Sequence, residues 1–269
     1  MRISITSLIL TVIIIFFSCD ESFNGSLDDR LVYEINYPVA IPAISESERL
    51  SLQEAFMRIN NYQFCSTLDK FGFLKRDKTC NVRFNYWAWI TDPGFIIPMA
   101  ARAVIHNAEF THVYDSTQLR VKGLRYIALP NGYYQVLFEE QRHRGIKVNF
   151  TEIKVDFQCD SVFAITGGWF KEIPVPSKPR YSVDEVRNYL IGKTVRDYTA
   201  LLEITRETFA SDTCFTEEVY PLFMDYEIEF RIIYRIKLHQ GSDFAENWEI
   251  LIDSQNLEIL STRITNVYF

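Results

Sequence analysis

A chain of 269 residues with 48% hydrophobic and 15% aromatic content is long enough for one large or two small domains, and apolar enough to bury their cores. That excludes extensive disorder. Ten glycines argue against a glycine-rich nucleotide cradle, and a formal charge of −7 argues against nucleic-acid binding, which needs clustered Lys and Arg.

The N-terminus carries the most specific local signal. Arg2 is followed by an apolar run over residues 3–17, ISITSLILTVIIIFF, short of the roughly 20 residues a spanning helix needs. A processed signal segment over residues 1–18 fits better than an anchor helix. FFSC, ending at Cys19, resembles a bacterial lipobox, with Phe16 where leucine is commonest and Phe17 beside the small Ser18. That resemblance implies a lipidated, palmitate-bearing Cys19 as the first mature residue. It would anchor the protein in the bacterial cell envelope, facing the periplasm or the cell exterior. An ordinary secretory signal cut nearby is the other reading.

Five cysteines leave an odd thiol in an exported chain, whereas lipidation of Cys19 leaves four: Cys65, Cys80, Cys159 and Cys214. Three pairings are open, and Cys65 with Cys80 and Cys159 with Cys214 is expected because each ties neighbouring segments. By loop-closure reasoning they would contribute roughly 3 and 4 kcal/mol. No C-x-x-C occurs and the four are scattered, so no metal site is expected.

Residues 19–44, opening with DESFNGSLDD after the cysteine, read as an acidic tether. Residues 45–96 form a smaller N-terminal segment. Ser51 and Glu54 have capping-box spacing, with Leu52, Phe56 and Ile59 at helical spacing behind them. The Cys65–Cys80 loop and the aromatic run RFNYWAWI follow. Trp87 and Trp89 share one strand face there and could grip a ligand such as a sugar, although core or interface packing is the commoner use of such a pair.

Residues 97–170 start with a helix over about 97–108. Strand-like runs follow at 119–129, 133–141, 146–157 and 161–170, with the hairpin signal Asn131-Gly132 between the first two. The third run changes phase: Ile146, Val148 and Phe150 share one face, while Ile153, Val155 and Phe157 need the other parity. A bulge near Thr151-Glu152 would keep both sets inward. Glu139, Gln141 and His143 share a parity that alternates with Tyr134, Val136 and Phe138, and they read as a solvated sheet edge rather than acid–base machinery. Gly167 and Gly168 read as a strand kink, since no helix follows them to make a phosphate loop.

Three prolines in KEIPVPSKPR make residues 171–180 an extended connector. Residues 181–269 form a second unit. Ser182 and Glu185 make a capping box ahead of Val183, Val186 and Leu190, and four strands follow. The clearest spans 228–238, its apolar residues alternating with mostly charged positions. Helix followed by antiparallel strands, twice over, is an α+β pattern with one sheet face covered by a helix.

QRHRGIKV, the strand to residue 157, SVFAITGGWF, PVPSKP and the helix YSVDEVRNYL resemble, in order, the propeptide region of fungalysin and thermolysin-type metallopeptidases. YRIKLHQGSDFAENWEILIDSQNLEIL resembles the end of the adjoining PepSY module. The resemblance spans about residues 97–269. Lys147 stands where that family favours proline, and Asn256-Leu257 where it favours a turn glycine. It implies two successive PepSY/cystatin-like units of a kind that assists folding and restrains a catalytic domain. No H-E-x-x-H is present, and His106, His112, His143 and His239 lie far from that spacing. His106 and His112 read as plain surface residues.

A non-catalytic lipoprotein is therefore expected, with no cofactor, no metal and no nucleic-acid partner. Its membrane partner would be reached through the lipid on Cys19, and its protein partner would be an exported peptidase, inhibited or chaperoned, or another envelope protein. The alternative is a structural or carbohydrate-binding surface lipoprotein using Trp87 and Trp89.

Overall fold

Ser45 opens the first helix. Its hydroxyl accepts the Glu48 backbone N–H at 3.2 Å, and Glu46 and Glu48 sit in the first turn, where the helix dipole favours acids. The computed structural model describes residues 37–77, 79–80, 93–127, 133–158, 161–209, 214–239 and 247–265, which all fall in one unit, Val32–Phe269.

In chain order, strand β1 (Val39–Pro42) precedes helix α1 (Glu46–Ile59) and the short hairpin β2 (Ser66–Leu68) and β3 (Leu74–Arg76). Helices α2 (Pro93–His106) and α3 (Ala108–Thr111) lead to β4 (Val121–Ile127), β5 (Tyr133–Phe138), β6 (Arg142–His143), β7 (Ile146–Val148), β8 (Ile153–Gln158) and β9 (Ser161–Thr166). After the proline-rich connector come α4 (Val183–Leu190), the hairpin β10 (Thr194–Arg196) and β11 (Leu201–Glu203), and four longer strands. These are β12 (Cys214–Phe223), β13 (Glu227–His239), β14 (Asn247–Asp253) and β15 (Ile259–Thr265). The protein is mixed α+β.

Two sheets carry the architecture. The smaller is antiparallel, in the order β4-β5-β8-β9. Ile96, Ala100 and Val104, one turn apart on α2, pack with Val136, Phe138, Ile153, Val155, Phe157 and Ile165 in its core. Phe56 of α1 meets Phe110 of α3 edge to face at 5.2 Å in the same core. The larger sheet has seven strands. Its path is β15-β14-β13-β12-β7-β6, and β1 pairs β13 through Val39↔Phe230. Val186 and Leu190 of α4, with Val195, Leu202 and Ile204 around the small hairpin, cover Tyr234, Ile236, Leu238, Trp248, Ile250 and Ile252. A third core, with Val148, Phe170, Val175, Val219, Phe230 and Ile232, lies against the other half of β13. Each fully buried side chain of this size contributes about 1.5–3 kcal/mol by leaving water.

Several elements depart from the sequence expectations. Capping-box spacing occurs twice in SESERLSLQE, and the chain uses the earlier one, so α1 starts at Glu46 and not near Ser51. Helix α2 starts at Pro93, ahead of the expected 97; proline suits a first helical position because no N–H is needed there. Val39–Pro42, in the stretch read as tether, is a sheet strand.

The run 146–157 is not one bulged strand. Its two halves belong to different sheets: β7 pairs β12 in parallel, β8 pairs β5, and Phe150 between them has φ 63. The phase change in the sequence is thus a change of sheet. Arg144 and Gly145, both at positive φ, make the two-residue turn between β6 and β7, as hairpins of this twist require. The connector after β9 is extended but anchored: Arg180 and Tyr181 donate their N–H groups to the Ser254 carbonyl, and the Gln255 amide donates to the Lys178 carbonyl.

Candidate functional site

Of the residues singled out in the sequence, Cys65 and Cys80 are joined in a disulfide, with Cα atoms 5.5 Å apart. Cys214 is also disulfide-bonded, and its expected partner Cys159 lies outside the described residues. Cys19, Trp87, Trp89 and the Asn131-Gly132 turn lie outside them too. Beside Cys65, Arg76 lies over the Tyr133 and Phe163 rings and donates to the Tyr133 hydroxyl at 2.6 Å. It also faces the buried Asp156 at 3.4 Å. Burial raises the Asp156 pKa, and the Gln135 hydrogen bond and the Arg76 charge offset only part of that rise.

The stretch 139–143 is less solvated than its alternation suggested. Gln141 is half-buried: its side-chain amide donates to the Phe170 carbonyl at 2.9 Å, and its side-chain oxygen accepts the Phe170 N–H at 2.8 Å. Thr151 accepts the Gln141 backbone N–H and donates to the Val148 carbonyl. This polar staple fixes the crossing between the sheets. His143 is half-buried, and burial with the neighbouring Arg144 charge lowers its pKa. His112 is not a plain surface residue: its Nδ1 lies 2.7 Å from the Trp169 carbonyl oxygen.

Two of the charged side chains on β13 are not solvated: Arg231 is buried and Arg235 half-buried. Arg231 bonds Asp253 and Glu258 at 2.9 Å and Glu229 at 2.7 Å, and Tyr37 donates its hydroxyl to Asp253 at 2.9 Å. Burial works against the Arg231 charge, but its hydrogen bonds to Asp253 and Glu229 outweigh that and raise its pKa. Arg235 bonds Glu218 at 2.8 Å and Glu249 at 2.7 Å, and Arg263 meets the same Glu249 oxygen. Each of these carboxylates answers to a guanidinium, which suits a structural lattice and leaves none poised to take a proton. The sequence signal for it was the odd-numbered charges of 227–239, whose cross-strand partners were not visible.

Two open surfaces among the described residues carry charged or aromatic side chains. Strand β4 pairs only β5, leaving its outer edge without a partner strand among the described residues. Arg120, Lys122 and Arg125 lie along it, with no acid from Leu119 to Ile127. Lys122 is shared between Glu140 and Glu152. Arg120 and Arg125 are exposed and form no ion pair among the described residues. The second surface is a cleft of about 510 Å³ between the β2–β3 turn and the end of β12. It is lined by Arg49, Leu68, Asp69, Lys70, Phe71, Lys75 and Phe223. Among the described residues no group of His, Cys, Asp and Glu is placed to hold a metal ion, and no helix is long and apolar enough to cross a membrane.

No family model and no curated protein matches the chain. The resemblance to fungalysin-type propeptides therefore rests on motif order alone. Among solved structures, the chain is similar to the Bacillus megaterium YpeB C-terminal domain, at a TM-score of 0.32 and 11% identity over 84% of this chain and 99% of that one. An overlap this low leaves fold and function to be argued from the residues themselves.

Proposed function

We propose that the protein is a non-catalytic envelope lipoprotein, held to a membrane through lipid on Cys19, with PepSY/cystatin-like units that bind a protein partner through the open edge of β4. The observation that carries this reading is the edge itself: seven residues of strand whose outer backbone donors and acceptors can pair with an added strand. Its charge narrows the choice of partner. Lys122 is already paired with Glu140 and Glu152, but Arg120 and Arg125, without an ion pair among the described residues, would repel a second copy of β4 and favour a strand bearing acidic residues. The motif order makes an exported metallopeptidase the partner class to try first.

The test adds a soluble form, residues 24–269, to candidate exported metallopeptidases and follows casein cleavage. At least one should be slowed by the parent and not by Arg125→Glu. Equal slowing by both would remove the edge from the explanation, and slowing of none would remove the peptidase. Zinc-dependent proteolysis by the protein alone, abolished by a point change in it, would refute the non-catalytic claim. A small-ligand lipoprotein is the second reading, and the aromatic-lined cleft is what favours it.

A further inference from the structure

We propose that the cleft beside Phe71 and Phe223 binds a small organic anion with a flat apolar body, of the aryl carboxylate class. Its volume of about 510 Å³ falls inside the range of roughly 300–1,000 Å³ in which small molecules are held. Its charge is opposite to that of the chain. Arg49, Lys70 and Lys75 line it against the single acid Asp69, in a protein of net charge −7.

The roles of these groups are already divided. Lys70 donates to the Met224 and Asp225 carbonyls at 3.2 and 2.5 Å and so ties the two walls together. Arg49 is held by Glu46 and donates to the Leu68 carbonyl. One Asp69 oxygen accepts the backbone N–H groups of Phe71 and Phe73, which occupies the acid inside its own turn. Lys75 is exposed and makes no ion pair among the described residues, so it is the cation left for a ligand.

Leu68, Phe71 and Phe223 line the apolar side, and the Phe73 and Phe150 rings meet Phe223 edge to face without lining the cleft. Phe223 lies 5.6 Å from Phe71, 6.4 Å from Phe73 and 5.9 Å from Phe150. Lys70 lies over the Phe71 ring at 5.1 Å, so the part-exposed Phe223 ring is the surface on which a planar guest can stack. Phe223 is 40% exposed and Phe150 57%, a large apolar area to leave in water. Phe150, in contact with Phe223, is also a bulky side chain held at φ 63, a region that L-residues rarely adopt.

Calorimetric titration of the soluble form with 2-naphthoate, and with the cation 2-naphthylmethylammonium, tests this. Naphthoate should bind, and the cation should bind at least about tenfold more weakly, since each tenfold step is about 1.4 kcal/mol. Phe223→Ala should weaken naphthoate at least about tenfold, and Lys75→Glu should weaken naphthoate while improving the cation. Tyr198→Ala, distant in sequence and fully exposed, should change nothing. In the parent, naphthoate should also protect Lys75 from acetylation, a readout that does not depend on any variant folding. Equal affinity for anion and cation, unchanged binding in both cleft variants, or no protection of Lys75 would overturn the proposal. Anionic vesicles that sediment the parent but not Phe223→Ala, and that naphthoate fails to displace, would reassign the patch to a membrane surface and overturn it as well.

Discussion

Glu217 retains a proton in the native protein that the unfolded chain releases, so its replacement by glutamine should remove a pH dependence of stability. Its carboxyl stands on β12 opposite Tyr234, on the sheet face that α4 covers, and burial pushes its pKa from the ordinary 4.5 up to about 7. Between those values the native state binds more protons than the unfolded state. Stability therefore falls as pH rises through the window, by up to about 1.4 kcal/mol per pH unit, and is level above it. A carboxyl sealed from water would lose about 3 kcal/mol across the window. Glu217 is half-buried, and solvent screening brings the expected loss nearer about 2 kcal/mol. Glu217→Gln keeps the shape and the neutral form. It should be about 2 kcal/mol more stable than the parent near pH 8 and within about 0.5 kcal/mol of it near pH 4.5. Urea unfolding at a series of pH values with disulfides intact reads this directly. A difference that stays constant with pH, or a variant less stable near pH 8, would refute the reasoning.

Arg231→Met should destabilise by about 3–5 kcal/mol in the same assay, because it strands Asp253 and Glu229 in a buried site; a loss below about 1 kcal/mol would mean that water reaches both acids. Gly167→Ala should cost several kcal/mol or abolish soluble expression. Gly167 has φ 92, and a Cβ there would fall inside the radius of the Glu152 carbonyl oxygen. Near-parent stability would show that the β8–β9 region yields easily. A non-reducing peptide map should join Cys159 to Cys214, since Cys214 is bonded and Cys65 and Cys80 are taken by each other. A Cys214 peptide carrying any other partner would break that assignment.

Local signals were the legible ones. The Ser182–Glu185 capping box was readable because both its hydrogen bonds close within four residues, and both form. The alternation of 228–238 was readable because strand parity is local, and that stretch falls within β13. What could not be read depends on partners far along the chain. Ile146 to Phe157 announced a break in phase, but only β12, some seventy residues on, makes that break a move to another sheet. Arg231 and Arg235 read only as the charged side of an alternating strand until β12 and β14 supplied carboxylates to pair with them. Lys75 and Phe223 illustrate the same limit for the site. Nothing local marks either one, and they meet only because the β2–β3 turn and the end of β12 fold side by side.

The passage of the chain from β5 to the β6–β7 hairpin and back to β8 gives the protein the character of a lap joint. Ser177 is exposed in the connector, the natural place for a protease to enter. With the Cys214 disulfide reduced, a cut there separates the sequence into two pieces without separating the larger sheet. The first piece contributes β1 and β7, which stay paired to β13 and β12 of the second. The Val148 side chain remains seated among Val219, Phe230 and Ile232 of the other fragment. Nicked protein should therefore travel as one particle under native conditions, and the connector marks a point at which the chain can be divided and rebuilt from halves.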